Sequence, residues 1–193
     1  ICQTHQQVKG HGVGGDTDLG AEVAQDDMDE IMRALDDIAV HNVDAILVVA
    51  GLGGGTGSGA GPVLIQQLRE MYNEAVYSLG VLPGTYEGGR PALNAARSLN
   101  SFVNYSDNFI AFDNDSWRET GQSVEQGYEQ TNRELATRIV TLLAAGELDD
   151  SSVAENAMDS SDIIRTLATS GVSSIAYAAN EVDLKNAGLL GRF

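Results

Sequence analysis

At 193 residues and 42% apolar content, the chain can bury one full core, which excludes a disordered segment as its default. Its net charge of −17 at pH 7 argues against non-specific binding to DNA, RNA or an anionic membrane. A single cysteine, Cys2, excludes an internal disulfide, and no apolar run reaches membrane-span length, so a cytoplasmic protein with no direct membrane insertion is expected. Lys9 and Lys185 are the only lysines among eleven basic residues, the kind of surface a high-salt cytoplasm selects, with a merely acidic mesophilic protein as the alternative. The chain opens at Ile1 rather than Met, so a fragment is expected.

In chain order, residues 1–23 are rich in glycine. Gly10-His11-Gly12-Val13-Gly14-Gly15 matches G-x-G-x-x-G in form, but no strand pattern precedes it, and Asp16 and Asp18 follow where a pyrophosphate would be repelled. It reads as a loop, with the Asp16 to Asp18 carboxylates capping the next helix. Met28, Ile31, Leu35 and Ile38 predict a helix over 21–39. Residues 44–50 predict a strand. The run Gly51-Leu52-Gly53-Gly54-Gly55-Thr56-Gly57-Ser58-Gly59 follows it, then an amphipathic helix from about 60 to 73 with Pro62 near its start.

Strand, glycine loop and helix in that order predict a phosphate cradle. Glycine permits φ > 0 and close approach, amides converge at a helix N-terminus, and Thr56 and Ser58 add hydroxyl donors. A flexible linker is the bland alternative. A second strand is predicted over Ala75 to Leu82, and Pro83-Gly84 then opens a loop that holds Glu87 and Arg90. A helix follows with Leu93, Ala96, Leu99 and Val103 on one face. Residues 108–112 predict a third strand, and Ser123 to Ala145 a long helix stopped by Gly146. Strands alternating with helices predict a parallel α/β sheet covered on both faces. Beyond Gly146 lie an acidic stretch, a helix with Ile163, Ile164 and Leu167, and a strand over Gly171 to Ala178. The expected division is 1–146, and 147–193 as the start of a truncated second α+β domain. His5, His11 and His41 have no metal-ligand spacing, and Trp117 reads as a packing residue.

The glycine run lacks the lysine of G-x-x-x-x-G-K-[ST], so a P-loop NTPase is excluded. Its Gly53-Gly54-Gly55-Thr56-Gly57-Ser58-Gly59 core resembles the motif of the tubulin and FtsZ superfamily. The flanks Val8 to Gly14, Gly80 to Gly84 and Phe112 to Arg118, and the late Asp159-Ser160-Ser161-Asp162-Ile163-Ile164, look like its archaeal CetZ group, and the similarity covers nearly the whole chain.

The resemblance implies a Rossmann-like GTPase domain that binds GTP or GDP, with Mg²⁺ accompanying the nucleotide and no protein ligand for it assignable. Carried over by position, Gly53, Gly54, Gly55, Thr56, Gly57 and Ser58 hold the α and β phosphates. Gly12, Val13 and Gly14 face the γ-phosphate. Glu87 accepts from the ribose hydroxyls, and Asn114 bonds ribose or guanine. Tyr128 and Asn132, one helical turn apart, take the base; helix packing is the plainer reading of Tyr128. Asp159 and Asp162 match the family's D-x-x-D loop, which completes the site of the next subunit in a head-to-tail homopolymer, whereas capping of the helix that follows is their plainer reading. Two departures stand out. Ala157 stands where FtsZ has Asn before the first of these aspartates, and Pro91, beside Arg90, stands where FtsZ has Arg. The implied role is a GTP-hydrolysing cytoskeletal filament acting in cell shape. The alternatives are a filament scaffold with little hydrolysis and a dinucleotide enzyme.

Overall fold

A computed structural model describes residues 12–38, 43–117, 121–145, 160–169 and 171–178. Four strands form one all-parallel sheet in the order β1 (Ala45–Gly51), β2 (Ala75–Leu82), β3 (Asn108–Asp113) and β4 (Val172–Ser173). The helices are α1 (Thr17–Asp26), α2 (Met28–Asp36), α3 (Gly61–Met71), α4 (Gly89–Tyr105), α5 (Val124–Ala145) and α6 (Ser160–Leu167). The chain therefore has the expected α/β, Rossmann-like parallel architecture, with a long helix, α5, after the third strand.

Each of the first three strands alternates between two covered faces, as a parallel sheet requires. Ile46, Val48, Val76, Phe109 and Ala111 pack with Met32, Ile65, Leu68 and Phe102 from α2, α3 and α4. Leu47, Leu79, Val81, Ile110 and Phe112 turn to the other face, against Leu135 and Ile139 of α5. Phe102 and Phe109 are fully buried with ring centroids 5.9 Å apart, and they anchor the first face.

Several expectations shift. The helix over 21–39 is two helices that meet at Asp27, and the first begins at Thr17, four residues early. Asp16 caps it: its Oδ1 accepts from the amides of Asp18 at 3.0 Å and Leu19 at 3.1 Å. In α4 the buried residues are Asn94, Ala95, Ser98 and Phe102, while Leu93 and Ala96 are exposed. Small polar groups occupy this interface because each finds a hydrogen-bond partner. The strand over Gly171 to Ala178 contracts to two residues. It hydrogen-bonds to β3 as the fourth strand of the same sheet, where Phe109 N donates to Gly171 O at 2.9 Å. The acidic stretch at 147–155 lies outside the described residues.

Candidate functional site

The strands end together at one edge, because the register aligns Gly51 with Val81 and Leu82 with Asp113. The glycine run leaves β1 there, turns at Leu52, and enters a π-helical turn, Thr56–Ala60, that continues into α3. The expected reason for its glycines needs correction. None of Gly51 to Gly59 has positive φ; among the described residues that backbone occurs at Gly12, Gly14, Gly15, Gly88, Gly121 and Gly171. Inside the run, glycine serves close packing instead. A Cβ on Gly55 would come within 2.6 Å of Asp16 N and Val13 Cγ2, one on Gly57 would overlap Gly51 O, and one on Gly59 would overlap Thr17 O. Gly51 and Gly54 alone in the run have open space on the side a Cβ would fill.

The loop that carries Gly12, Val13 and Gly14 lies against this turn. Val13 buries its side chain with Val23 and Leu19, and its carbonyl accepts from Asp16 N at 3.0 Å. Its contribution outward is therefore backbone. Asn94, 4% exposed, joins the two loops: Nδ2 donates to Gly15 O at 3.0 Å and Gly53 O at 3.1 Å. The sequence reading passed over Asn94. Its signal was an Asn94, Ser98, Phe102 repeat of four, hidden by an apolar face drawn one position away.

Ser58 is also engaged inward, since its hydroxyl donates to Gly54 O. Thr56 is half-buried. Arg90 lies along Gly15, where a Cβ would stand 3.4 Å from the guanidinium Nε. A cation thus neighbours the 12–15 loop although Pro91 takes the family's arginine position. Asp16, holding two amides at the start of α1, leaves that helix end unsuited to a pyrophosphate, which removes the dinucleotide reading of the 10–15 glycines.

The remaining candidates gather at the same edge. Glu87 Oε1 accepts from Gly84 N at 2.8 Å, and Oε2 faces Gly53, 3.6 Å from where its Cβ would be. Tyr128, 40% exposed near the start of α5, has its ring centroid 6.3 Å from that of Tyr86, a residue the sequence reading did not name. Asn132 is exposed one turn further on. Asn114 follows β3, and its neighbour Asp115 accepts from Thr85 N at 2.8 Å, which joins that loop to the Glu87 turn. Backbone amides, a carboxylate facing a loop, an amide and an aromatic ring suit a phosphate, a diol and a base. The open space at Gly51 and Gly54 leaves room for a ligand against backbone. Among the described residues no group of three or more His, Cys, Asp or Glu assembles that could hold a metal ion.

Asp162 is elsewhere. It sits in the first turn of α6, and α6 packs beside the opposite, amino ends of the strands. Ile163, Ile164 and Leu167 share a cavity with Asp44, Ala45 and Tyr77, and Tyr77 Oη donates to Ile164 O at 3.2 Å. Six residues of β1 separate that end from Gly51, roughly 20 Å. Asp159, with Asn156 and Ala157, lies outside the described residues.

Comparison with known proteins gives the family. The family model for the Tubulin/FtsZ family GTPase domain matches residues 1–122, and that for the C-terminal domain of tubulin-like CetZ matches 121–193. Tubulin-like protein CetZ3 of Haloferax volcanii is 56% identical over 96% of this chain and 48% of its own length; CetZ1 of the same organism is 54% identical over 96% and 48%. The chain spans about half the length of the curated relatives it matches. A GDP-bound monomer of CetZ1 superposes at TM-score 0.76, and a GTPγS-bound protofilament of CetZ2 at 0.78 with 44% identity, each over 86% of this chain and 47% of the other. No helix among the described residues is long and apolar enough to cross a membrane. The later part of the chain is similar to the C-terminal domain of tubulin-like CetZ, and the chain belongs to the tubulin/FtsZ family.

Proposed function

We propose that this chain is the nucleotide-binding part of a cytoplasmic GTPase that polymerises head to tail and acts in control of cell shape. One observation carries the reading. The phosphate and nucleoside candidates gather at the carboxyl ends of the strands, while Asp162 stands on the helix at the amino ends. A carboxylate that stands at the opposite end of strands roughly 20 Å long from its own phosphate loops serves a nucleotide only on another copy. Stacking copies head to tail brings the two ends together, and such a heterologous contact propagates as a filament. The GTPγS-bound protofilament of CetZ2 is in keeping with this.

In this reading the amides of Gly53 to Gly57 hold the α and β phosphates, and Gly12 to Gly14 hold the γ. Arg90 adds charge beside the γ loop. Glu87 Oε2 takes the ribose, Tyr128 and Asn132 take guanine, and Asn114 bonds ribose or guanine. Asp162 and Asp159 of the neighbouring copy orient the attacking water, while Mg²⁺ travels with the triphosphate and offsets its charge. Ala157 favours a second reading, a filament that binds GTP and hydrolyses it poorly.

Turnover separates the two. Catalysis in trans predicts a specific GTPase activity that rises with protein concentration. Asp162→Ala in the intact protein is expected to bind GTP and assemble but to lose turnover. Normal hydrolysis by that variant would remove Asp162 from the mechanism, and NAD or FAD as the co-purifying nucleotide would end the GTPase reading.

A further inference from the structure

We infer that Arg138 and Trp117 are a positioning pair for the nucleoside end of the site. Their stack sets the distance between the Asn114 loop and the stretch of α5 that carries Tyr128 and Asn132. The inference rests on the guanine-nucleotide reading and gives a role to two residues to which the resemblance assigned none.

Arg138 is 4% exposed, and its guanidinium carbon lies 3.9 Å from the Trp117 ring centroid. Nη1 donates to Glu134 Oε2 at 2.7 Å and to Glu134 O at 2.8 Å, while Nε is buried without a hydrogen-bond partner among the described residues. Trp117 in turn stacks on Phe112, with centroids 6.1 Å apart and planes 12° from parallel. A buried cation with an unpaired N–H is a costly way to fill a gap that a methionine would fill as well. What arginine adds is direction, because a planar guanidinium on an indole fixes both the separation and the tilt of the two elements.

Those elements are the right ones. The Asn114 loop is tied down at three places. Asp113 at the end of β3 accepts from Asp115 N at 3.0 Å and Ser116 Oγ at 2.8 Å. Asp115 accepts from Thr85 N, which secures the Glu87 turn. Trp117 on Arg138 is the tie to α5. Arg138 lies six residues past Asn132, roughly 9 Å along the helix, so it acts through Trp117 rather than by touching the nucleotide. Tyr177, 6.0 Å from the same guanidinium, brings the segment after β4 to the same point.

The test uses the intact protein with GDP as the probe. Arg138→Met is expected to weaken GDP binding about tenfold, Arg138→Lys less, and Trp117→Phe within about threefold, because it keeps a ring under the guanidinium. GTP turnover at saturation is expected to change little, so the effect falls on KM and not on kcat. Trp117 emission, isolated by subtracting the Trp117→Phe spectrum, is expected to shift when GDP binds. A folded Arg138→Met protein with parental GDP affinity, even with a lowered melting temperature, overturns the positioning role. So does Trp117 emission indifferent to GDP, and that readout with Arg138→Lys decides the matter if Arg138→Met does not fold. A parent protein that binds no GDP overturns the nucleotide reading and this role with it.

Discussion

The two ends of the candidate nucleotide groove are built differently. The phosphate end is backbone. Its loops run from Gly12 to Gly15 and from Gly51 to Ala60, its side chains turn inward at Val13 and Ser58, and a single buried amide, Asn94, holds the loops together. The nucleoside end is side chain. Glu87, Asn114, Tyr128 and Asn132 come from three separate elements, half-buried or exposed, held by loop-to-loop bonds such as that from Thr85 N to Asp115. A phosphate needs many short donors in a fixed concavity, which close-packed amides supply. A base needs a flat face and a few edge contacts, which side chains supply. Binding and stability are therefore coupled at the first end and separable at the second.

The sharpest break of that contrast is a pair of adjacent glycines. At Gly55 an added methyl meets the backbone of Asp16 and the Val13 side chain, and neither is the free end of a flexible group. Gly55→Ala is expected to lower stability by about 3 kcal/mol and to abolish nucleotide binding. At Gly54 the same methyl meets nothing within 4 Å, and φ is not positive. Gly54→Ala is expected to stay within about 1 kcal/mol of the parent in stability, yet to weaken GTP binding, because the methyl enters the open side of the cradle. Chemical unfolding and nucleotide titration of both variants check this. A Gly54→Ala protein with parental affinity would place the phosphates elsewhere.

Asn94→Ala comes next. It leaves Gly15 O and Gly53 O without their shared donor in a buried place, for a loss of about 1–3 kcal/mol. Because that amide ties the two phosphate loops, GDP affinity is expected to fall along with the unfolding midpoint. A fall in stability with unchanged affinity would show that the loops hold their spacing without Asn94.

The first three strands were legible because each is an apolar run of six to eight residues bounded by turn formers, and β2 matched residue for residue. What escaped was what tertiary contact decides. The period of α1 and α2 is nearly continuous through Asp27, so the break between them leaves little trace. The glycines between 51 and 59 read as permissive backbone, whereas Gly55 and Gly59 are there because the 12–16 loop and α1 press against them, and Gly57 because Gly51 does; sequence shows the residue but not the neighbour that requires it. The buried face of α4 was missed because Asn94 and Ser98 look like surface residues until their partners are known. Arg138 is the same case on α5. Glu87, Asn114 and Tyr128 stand at one edge because parallel topology delivers every strand's carboxyl end to the same side.

At the nucleoside end, Tyr128→Ala is expected to weaken GDP binding by about 1–3 kcal/mol, the usual worth of stacking a base on an aromatic ring. The ring is 40% exposed and its recorded ring neighbour is Tyr86, so the melting temperature is expected to move little. That outcome is the mirror image of Gly55→Ala, and a large loss of stability in Tyr128→Ala would make the residue a packing element of α5.

The smallest effect probes the opposite end of the strands, where α6 meets the sheet. Burial raises the Tyr77 phenol above its ordinary 10.0, and the charge of Asp107 adds to this. The unfolded chain therefore sheds this proton at a lower pH than the folded one. Stability from this source is intact below about pH 10 and falls as pH climbs from there through the folded value, because over that window the unfolded state binds fewer protons. Tyr77→Phe removes the hydrogen bond to Ile164 O and is expected to cost about 1 kcal/mol at neutral pH. It also removes the alkaline loss, so its unfolding curve and the parent's should converge above about pH 10. GDP affinity should not respond, since Tyr77 lies near the amino end of β2, away from both loops. Parallel stability curves through that pH range would mean the phenol ionises alike in both states, and a change in GDP affinity would mean that the two ends of the sheet are coupled.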